Sequence, residues 1–252
     1  MKRLIQTLLN RIGYSIVPYL PDHNWEFPPD FSAADIGIIR RVTPYTMTSP
    51  ERILALINAV KYLVDNDIPG DIVECGVWKG GSMMAVAMTL LEMGVGDRNL
   101  YLFDTYDGMT GPGEQDITHE GLCADKLLAA TGKSEESAIW AYSPLEIVKK
   151  NMFSIGYDER KIHFIKGRVE DTIPASALAE ISLLRLDTDW YESTHHELTH
   201  LYPRLSRGGI LIVDDYGHWQ GARKATDQYI KEHKLPLFLS RIDYTGRITV
   251  KP

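Results

Sequence analysis

Short apolar runs alternate with helical patterns over most of the chain after residue 70. The segment 81–93, closed by Gly94, is typical of the helical stretches. Strand–helix repeats of this kind predict a parallel sheet with helices on both faces. Five runs are nearly continuous in apolar residues, which predicts strands buried on both faces: 71–76, 100–104, 161–167, 181–187 and 209–215.

Two local signals predict where helices begin. Ser49 followed by Pro50 is typical of an N-cap and a first helical position, and predicts a helix through about Asp65. The residues Ser143-Pro144-Leu145-Glu146 form the pattern of a capping box, which predicts a helix that opens there and ends at Gly156.

The end of the chain has a different pattern. The segments 236–243 (PLFLSRID) and 246–252 (GRITVKP) meet at Tyr244-Thr245-Gly246, which predicts an antiparallel hairpin. The predicted fold class is therefore α/β, with a Rossmann-like, mostly parallel seven-stranded sheet that ends in an antiparallel hairpin. This arrangement resembles the class I methyltransferase topology.

The first 35 residues have a pattern of their own. Residues 18–31 contain four prolines and must run extended. We predict an N-terminal helix and a proline- and aromatic-rich extension over 1–35, acting as a lid or an oligomer contact, followed by one domain over 36–252. No continuous apolar stretch is long enough for a signal peptide or a membrane span. The helix is predicted from apolar positions at helical spacing: Leu4, Ile5, Leu8, Leu9 and Ile12.

Composition restricts the partners and the compartment. The 252 residues carry a net charge of −7, so no basic field is available to hold nucleic acid. Cys75 and Cys123 are the only cysteines, and Cys75 lies in an apolar run, which favours a reducing, cytoplasmic location. We expect a homo-oligomer that acts on a small-molecule or glycoside acceptor.

The first three predicted strand ends fit a nucleoside ligand. The turn from Glu74 to Ser82 reads E-x-G-x-x-x-G-G-S, which differs from the dinucleotide fingerprint G-x-G-x-x-G and argues against NAD. Asp104 is placed to accept hydrogen bonds from both ribose hydroxyls, and 167–171 lies where an adenine would bind. These ends together favour S-adenosyl-L-methionine, although an ordinary tight strand–helix turn remains an alternative for the first.

The fourth and fifth strand ends each carry two aspartates, Asp187 and Asp189, then Asp214 and Asp215. Neighbouring strands lie about 4.8 Å apart, so four unpaired carboxylates would meet and repel one another. A hard divalent cation such as magnesium, calcium or manganese would remove this repulsion. In an extended chain Asp187 and Asp189 would point to the same side. The alternative is that these aspartates cap the helices that follow.

The motifs around these carboxylates resemble a known family. The stretches LRLDTDWYEST and GGILIVDDYGHWQGARKA, with FDTYDG and the segment Thr46–Arg52, are similar to the macrocin O-methyltransferases. These are magnesium-dependent enzymes that methylate sugar hydroxyls on macrolides and related natural products. The resemblance extends over roughly residues 40–235.

The resemblance implies a role for each carboxylate. Asp187, Asp214 and Asp215 would hold Mg²⁺ or Mn²⁺, and Asp189 would be the general base that deprotonates the acceptor hydroxyl. A bound metal would lower the pKa of that hydroxyl before its oxygen attacks the sulfonium methyl. The resemblance places Glu74, Gly76, Ser82 and Asp104 at the cofactor, with Met47 near its methionine part, and the strand ends add Trp78, Val169, Glu170 and Asp187.

Other motifs in the sequence allow alternative functions. His196-Glu197-Leu198-Thr199-His200 matches the zinc-peptidase pattern H-E-x-x-H, but its histidines are expected on the solvent face, opposite the apolar stripe of the helix. Asp187-Thr188-Asp189 also resembles the D-x-D of metal-dependent glycosyltransferases. A phosphatase with a nucleophilic aspartate and a non-catalytic S-adenosylmethionine-binding subunit are further alternatives. His218 is a candidate for the acceptor site.

Overall fold

The computed structural model describes residues 27–134, 137–173 and 178–252. The helix predicted within the first 26 residues lies outside these ranges. The chain divides into two units, Met1–Ser32 and Ala33–Pro252. The boundary predicted after residue 35 falls inside the first described helix, Ala33–Val42, which belongs to the second unit. No helix of the described residues is long and apolar enough to cross a membrane.

The second unit is built on a seven-stranded sheet with the order β3-β2-β1-β4-β5-β7-β6. Strands β1 to β5 pair in parallel, and β7 pairs antiparallel with both β5 and β6. This confirms the predicted α/β class and its antiparallel end. The strands are β1 (Asp71–Cys75), β2 (Leu100–Asp104), β3 (Ile162–Lys166), β4 (Ile181–Leu186), β5 (Leu205–Val213), β6 (Ser240–Arg241) and β7 (Arg247–Val250).

Helices lie in layers on the sheet. Helix α2 packs against β4 and β5 and against its neighbours α1 and α3. Helices α7 and α8 pack on each other, and their apolar residues share one core cluster with the strands. The helices are α1 (Ala33–Val42), α2 (Pro50–Asp65), α3 (Gly81–Glu92), α4 (Ala124–Ala130), α5 (Leu145–Phe153), α6 (Val169–Thr172), α7 (Tyr191–Leu201) and α8 (Gln220–Glu232).

The two predicted helix starts have different outcomes. Ser49 is the N-cap of α2 and its hydroxyl accepts a hydrogen bond from the Arg52 amide at 3.2 Å, as predicted. The capping box at Ser143 is wrong, because Pro144 occupies the N-cap and α5 starts at Leu145. The Ser143 hydroxyl is buried without a partner.

The backbone ladders continue one residue beyond the ends of the parallel strands. The Gly76 amide donates to Phe103, the Asp187 amide donates to Cys75 at 2.8 Å, and the Asp214 amide donates to Leu186 at 2.9 Å. The residues that follow β1, β4 and β5 are therefore held side by side at one edge of the sheet.

Candidate active site

A cavity of about 520 Å³ lies over the carboxyl ends of the parallel strands. Residues from all five of these strand ends line it, together with Thr46 and Met47 before α2 and the turn that holds Tyr244. Of the predicted site residues, Glu74 alone is absent from its wall. The others line it: Met47, Gly76, Trp78, Ser82, Asp104, Val169, Glu170, Asp187, Asp189, Asp214 and Asp215.

The turn after β1 forms one wall of the cavity. Gly76 has a φ of +83°, and a Cβ placed on it would lie 2.0 Å from the carbonyl oxygen of Asp187. Only glycine therefore permits β1 and β4 to end this close together. Trp78 also has a positive φ, of +46°, which is uncommon for a non-glycine residue and marks the turn as constrained.

Asp104 holds this turn in place. Its Oδ2 accepts hydrogen bonds from the amides of Val77 at 2.7 Å and Trp78 at 3.1 Å, and its Oδ1 accepts one from the Tyr106 amide at 2.7 Å. Burial raises the pKa of Asp104, and these amide hydrogen bonds oppose the rise. The Thr105 hydroxyl also lies 3.4 Å from Oδ1, so each oxygen of this carboxylate has two donors from the protein beside it. The prediction that Asp104 accepts hydrogen bonds from both ribose hydroxyls stays a prediction, and Asp104 lines the cavity as it requires.

The end of β3 contributes Val169 and Glu170 through the short helix α6. Val169 is buried in the core. The Glu170 carboxylate accepts hydrogen bonds from the Ser193 hydroxyl at 2.8 Å and from Arg168 Nε at 3.3 Å. Ser193, in the first turn of α7, also lines the cavity and was not among the predicted site residues.

The buried guanidinium of Arg185 was missed by the sequence analysis. Its Nη1 donates to Glu74 and to Asp187 Oδ2 at 2.7 Å, and its Nη2 donates to Asp214 Oδ1 at 2.6 Å and to Thr48 Oγ1 at 3.1 Å. Glu74 lies directly opposite Arg185 in the β1–β4 ladder, which explains the pair. Burial opposes the charge of Arg185, but its acidic neighbours raise its pKa above the usual value.

Glu74 lies behind the cavity wall because it belongs to this ion pair. Burial raises its pKa to about 7, against the opposing influence of Arg185. Its second oxygen, Oε2, is buried without a hydrogen-bond partner. Direct contact of Glu74 with a cofactor stays a prediction. The position of Glu74 outside the cavity wall does not support it.

Three carboxylates at the ends of β4 and β5 meet closely enough to hold a cation. One oxygen from each of Asp187, Asp214 and Asp215 lies within 4.8 Å of the others, and this is the one such group among the described residues. The Oδ2 atom of Asp215 is buried without a hydrogen-bond partner. Three oxygen ligands and an orphaned carboxylate oxygen fit a hard divalent cation.

The premise of four unpaired carboxylates is nevertheless wrong. Arg185 pairs with Asp187 and Asp214, and Arg52 from α2 pairs with the other oxygen of Asp214. We expected a metal ion alone to relieve the repulsion between these carboxylates. Two guanidinium groups instead compensate part of their negative charge. Asp215, which has no arginine partner in the described structure, retains the larger need for a proton or a cation.

Asp189 turns away from an extended path. Its φ is +66°, and the Trp190 amide donates to the Thr188 carbonyl at 2.7 Å. Asp187 and Asp189 therefore do not project from an extended strand, contrary to the expectation. The Asp189 carboxyl comes into hydrogen-bonding contact with Asp215, and burial raises the pKa of Asp189 to about 7.

The aspartates do not cap helices, which excludes that alternative. The N-caps of α7 and α8 are Trp190 and Trp219, and neither forms a side-chain cap. Instead Asp116, from the connection between β2 and α4, accepts a hydrogen bond from the Tyr191 amide at 2.8 Å.

Another part of the cavity wall is aromatic. His218, Trp219 and Tyr244 line it, and the Tyr244 hydroxyl lies 3.2 Å from His218 Nδ1. Burial, the neighbouring His119 and Arg52 lower the pKa of His218, although Glu120 opposes this. A neutral imidazole and aromatic faces suit an uncharged acceptor with hydroxyl groups.

The H-E-x-x-H pattern does not form a metal centre. His196 Nε2 lies 2.8 Å from the Ile173 carbonyl, and the Glu197 side chain is fully buried. His196 and His200 are half-buried rather than on an open solvent face, because α6 covers part of this side of α7. The apolar stripe through Leu198 and Leu201 packs in the core, as predicted.

The fold and the position of the cavity define the class of the protein. The strand order 3-2-1-4-5-7-6, with the cavity over the parallel strand ends, is that of class I methyltransferases. A calicheamicin methyltransferase has this fold with a TM-score of 0.57 at 17% identity, covering 94% of this chain and 99% of that one. The O-methyltransferase NovP has a TM-score of 0.70 at 30% identity, with 82% of each chain covered.

Sequence comparison identifies the family. Residues 31–250 match the model of the macrocin-O-methyltransferase (TylF) family, and the chain belongs to this family. It is similar to the demethyldecarbamoylnovobiocin O-methyltransferase of Streptomyces niveus, at 31% identity over 80% of this chain and 74% of that protein. It is also similar to 8-demethyl-8-(2,3-dimethoxy-alpha-L-rhamnosyl)-tetracenomycin-C 4'-O-methyltransferase of Streptomyces olivaceus, at 30% identity over 96% and 89%.

The protein is therefore an S-adenosylmethionine-dependent O-methyltransferase. This result confirms the predicted enzyme class and rejects the glycosyltransferase, phosphatase, peptidase and non-catalytic alternatives.

Proposed function

We propose that this enzyme methylates a hydroxyl group of a sugar carried by a natural product or glycan, with Mg²⁺ or Mn²⁺ held by Asp187, Asp214 and Asp215. The observation that carries the proposal is the meeting of these three carboxylates in the wall of the cavity that Asp189 also lines. The names of the relatives support the sugar acceptor, since one acts on a rhamnosyl group and another is a mycinamicin III 3''-O-methyltransferase.

Two parts of the cavity wall would bind the two substrates. The wall formed by Gly76, Trp78, Ser82 and Asp104 would hold the methyl donor, with Met47 covering it from the side of α2. The acceptor would lie against the aromatic wall, with its reacting hydroxyl directed at Asp189. Holding the nucleophile and the methyl carbon about 3–3.5 Å apart removes much of the entropic barrier.

Asp189 would then accept the proton of the hydroxyl group. The acceptor oxygen forms the new bond to the methyl carbon while the bond from that carbon to the sulfonium sulfur breaks, which leaves S-adenosylhomocysteine. A bound divalent cation supplies Lewis acidity, which lowers the pKa of an acceptor hydroxyl. The left-handed backbone of Asp189 keeps its carboxyl beside Asp215 and apart from the pairs that Arg185 forms.

The test is a product assay with a defined set of acceptors. Purified protein is incubated with S-adenosylmethionine and Mg²⁺ and with rhamnosylated polyketides, aminocoumarin glycosides and the matching aglycones. We expect a mass gain of one methyl group on a glycoside and none on its aglycone, and loss of the product in EDTA. Methylation of an aglycone alone would reject the sugar acceptor, and full activity in EDTA would reject the metal.

A further inference from the structure

Arg52 is a cation inside the cavity wall that the proposed reaction does not use. It lies in the first turn of α2, and its side chain is 12% exposed. Its Nη1 donates to Asp214 Oδ2, and its Nε donates to Asp243 Oδ2 at 2.9 Å. The guanidinium thus connects one of the three clustered carboxylates to a carboxylate in the β6–β7 turn.

Asp243 is firmly held. Its Oδ1 accepts hydrogen bonds from the amides of Thr245 at 2.9 Å and Gly246 at 2.7 Å, and its Oδ2 also accepts the Ser49 hydroxyl at 2.8 Å. Burial raises the pKa of Asp243, but the Gly246 amide, the Ser49 hydroxyl, Arg52 and the Thr245 amide together keep it below the usual value. Asp243 is therefore an ionised partner that can retain Arg52 without help from Asp214.

The two arginines at Asp214 differ in how firmly they are fixed. Arg185 is 3% exposed and is bound by four side chains, including Glu74 and Asp187. Arg52 contacts Asp214 through Nη1 alone and lines the cavity, where a ligand reaches it. A divalent cation that approached Asp214 Oδ2 would meet the positive charge of Arg52 at close range, and like charges repel strongly at partly buried sites.

We propose that Arg52 is an internal competitor of the metal: it neutralises Asp214 in the metal-free enzyme, and Asp243 retains it when a cation binds. The proposal rests on the proposed function in taking Asp187, Asp214 and Asp215 as the metal ligands. Only the bond from Nη1 to Asp214 has to break, since Nε already contacts Asp243. The affinity of the site for metal is thereby set by a residue outside its ligands.

The experiment is a titration of the full chain with Mn²⁺, followed by electron paramagnetic resonance of the free ion. Removing the competing charge in Arg52→Gln should tighten Mn²⁺ binding about tenfold or more. Asp243→Asn keeps an acceptor in the turn but removes the alternative negative partner, so Arg52 should hold Asp214 more firmly. In this variant we expect Mn²⁺ binding to weaken by about threefold or more.

Arg223→Gln is the matched control, because Arg223 is 62% exposed and lies outside the cavity wall. It removes the same charge from the protein and should change Mn²⁺ affinity by less than about twofold. Thermal melting of each variant checks that it is folded.

Opposite shifts in Arg52→Gln and Asp243→Asn support the proposal, because damage to the fold would weaken binding in both. Weaker or unchanged Mn²⁺ affinity in folded Arg52→Gln overturns it while the proposed metal site stands. Absence of Mn²⁺ binding in both the wild type and Arg52→Gln overturns it together with the metal ligands. Methyl transfer measured in EDTA then decides separately whether the reaction needs a metal.

Discussion

At the scale of single residues, the four aspartates after β4 and β5 occupy different environments. Asp187 and Asp214 pair with Arg185, whereas Asp189 and Asp215 contact each other. The charged side chains next to a buried carboxylate shift its pKa, and so decide whether it can accept a proton. Asp189 has no arginine partner among the described ion pairs, which suits a group that must accept a proton.

The first prediction separates the base from a metal ligand. Asp189→Asn should keep the fold and metal affinity and reduce turnover by about 10²–10⁴-fold, the usual effect of removing a general base. Asp187→Asn should instead weaken metal binding, and raised Mg²⁺ should partly restore its rate. The measurement is turnover against Mg²⁺ concentration for both variants. Rescue of Asp189→Asn by Mg²⁺, with Asp187→Asn inactive throughout, would reverse the two roles.

A second prediction concerns Glu197, which lies fully buried in α7. Burial raises its pKa well above the usual value, so the folded protein keeps this carboxyl protonated where the unfolded chain has lost the proton. Stability from this group is complete below pH ~4.5 and is lost as the pH rises towards the folded pKa, by at most about 1.4 kcal/mol per pH unit.

Glu197→Gln should therefore stabilise the protein more at pH 8 than at pH 5. The measurement is the melting temperature of both proteins across this range. The exposed Glu146→Gln is the control, since its side chain is 79% exposed and the variant should show no such trend. A constant difference between Glu197→Gln and the wild type would show that Glu197 is ionised when folded.

Single-residue chemistry could be predicted from sequence only in part. The carboxylates could be found because parallel strand ends must meet at one edge. The role of Arg185 could not, because its four partners come from three strand ends and from Thr48, before α2. The direction of the Asp189 side chain could not be predicted from the sequence either, because the left-handed φ of this residue depends on the packing of the turn after β4.

At the scale of elements, the segment 105–123, here termed the cap segment, is tied to the start of α7 and α8. Asp116 accepts the Tyr191 amide, the Gln220 amide donates to Ile117 at 2.8 Å, and the His119 amide donates to His218 at 2.8 Å. These bonds satisfy amides at two helix N-termini. Met109 and Thr110 of the cap segment line the cavity, and the Thr110 carbonyl accepts a hydrogen bond from Trp190 Nε1 at 3.1 Å.

This architecture predicts a specific effect at Gly221, in the first turn of α8. A Cβ there would lie 2.0 Å from Asp116 Oδ1, so Gly221→Ala must displace Asp116 from the Tyr191 amide. We expect the KM for the acceptor to rise about tenfold, the result of about 1.4 kcal/mol, while affinity for S-adenosylmethionine stays nearly constant. Steady-state kinetics and calorimetry measure the two effects.

Gly37→Ala is the matched control for that variant. Gly37 is also a helical glycine, in α1, and a Cβ there would meet nothing within 4 Å. This variant should be as active as the wild type and slightly more stable. Equal kinetics in Gly221→Ala and Gly37→Ala would show that the cap segment does not shape the acceptor site.

Elements with strong local patterns could be predicted well. Strands β1, β4 and β5 are mostly buried as expected, and Ser49 with Pro50 fixed the start of α2. Burial on both faces was wrong for β3, because it lies at the edge of the sheet and only Ile162 in it is buried. The capping box at Ser143 failed because Pro144 took the N-cap, where it has no side-chain acceptor to offer. The cap segment could not be predicted because polar side chains and isolated bridges hold it, which leave no periodic pattern.

At the scale of the whole molecule, the sheet supports an acidic site whose negative charge is partly balanced by arginine side chains of the same chain. The core beneath the site is apolar, and Val73, Cys75, Leu184 and Leu186 occupy it with α7 and α8. Arg185 and Arg52 neutralise part of the acidic charge above it. The fold should therefore not depend on a metal, although turnover should.

The last prediction tests this separation by thermal unfolding. A ligand that binds only the folded state stabilises it by RT ln(1 + [L]/Kd), about 2.7 kcal/mol when its concentration is one hundred times Kd. For a domain of this size, each kcal/mol raises the melting temperature by about 2–4 °C. Saturating S-adenosylmethionine or S-adenosylhomocysteine should thus raise the melting temperature by about 5–10 °C, and NAD or a UDP-sugar should leave it unchanged.

EDTA should lower the melting temperature by less than about 2 °C, because the arginines remain to balance Asp187 and Asp214. Cooperative unfolding on chelation would show instead that the carboxylates need a metal for folding, as a structural metal site does. A shift with NAD equal to that with S-adenosylmethionine would mean that the turn after β1 does not select its ligand.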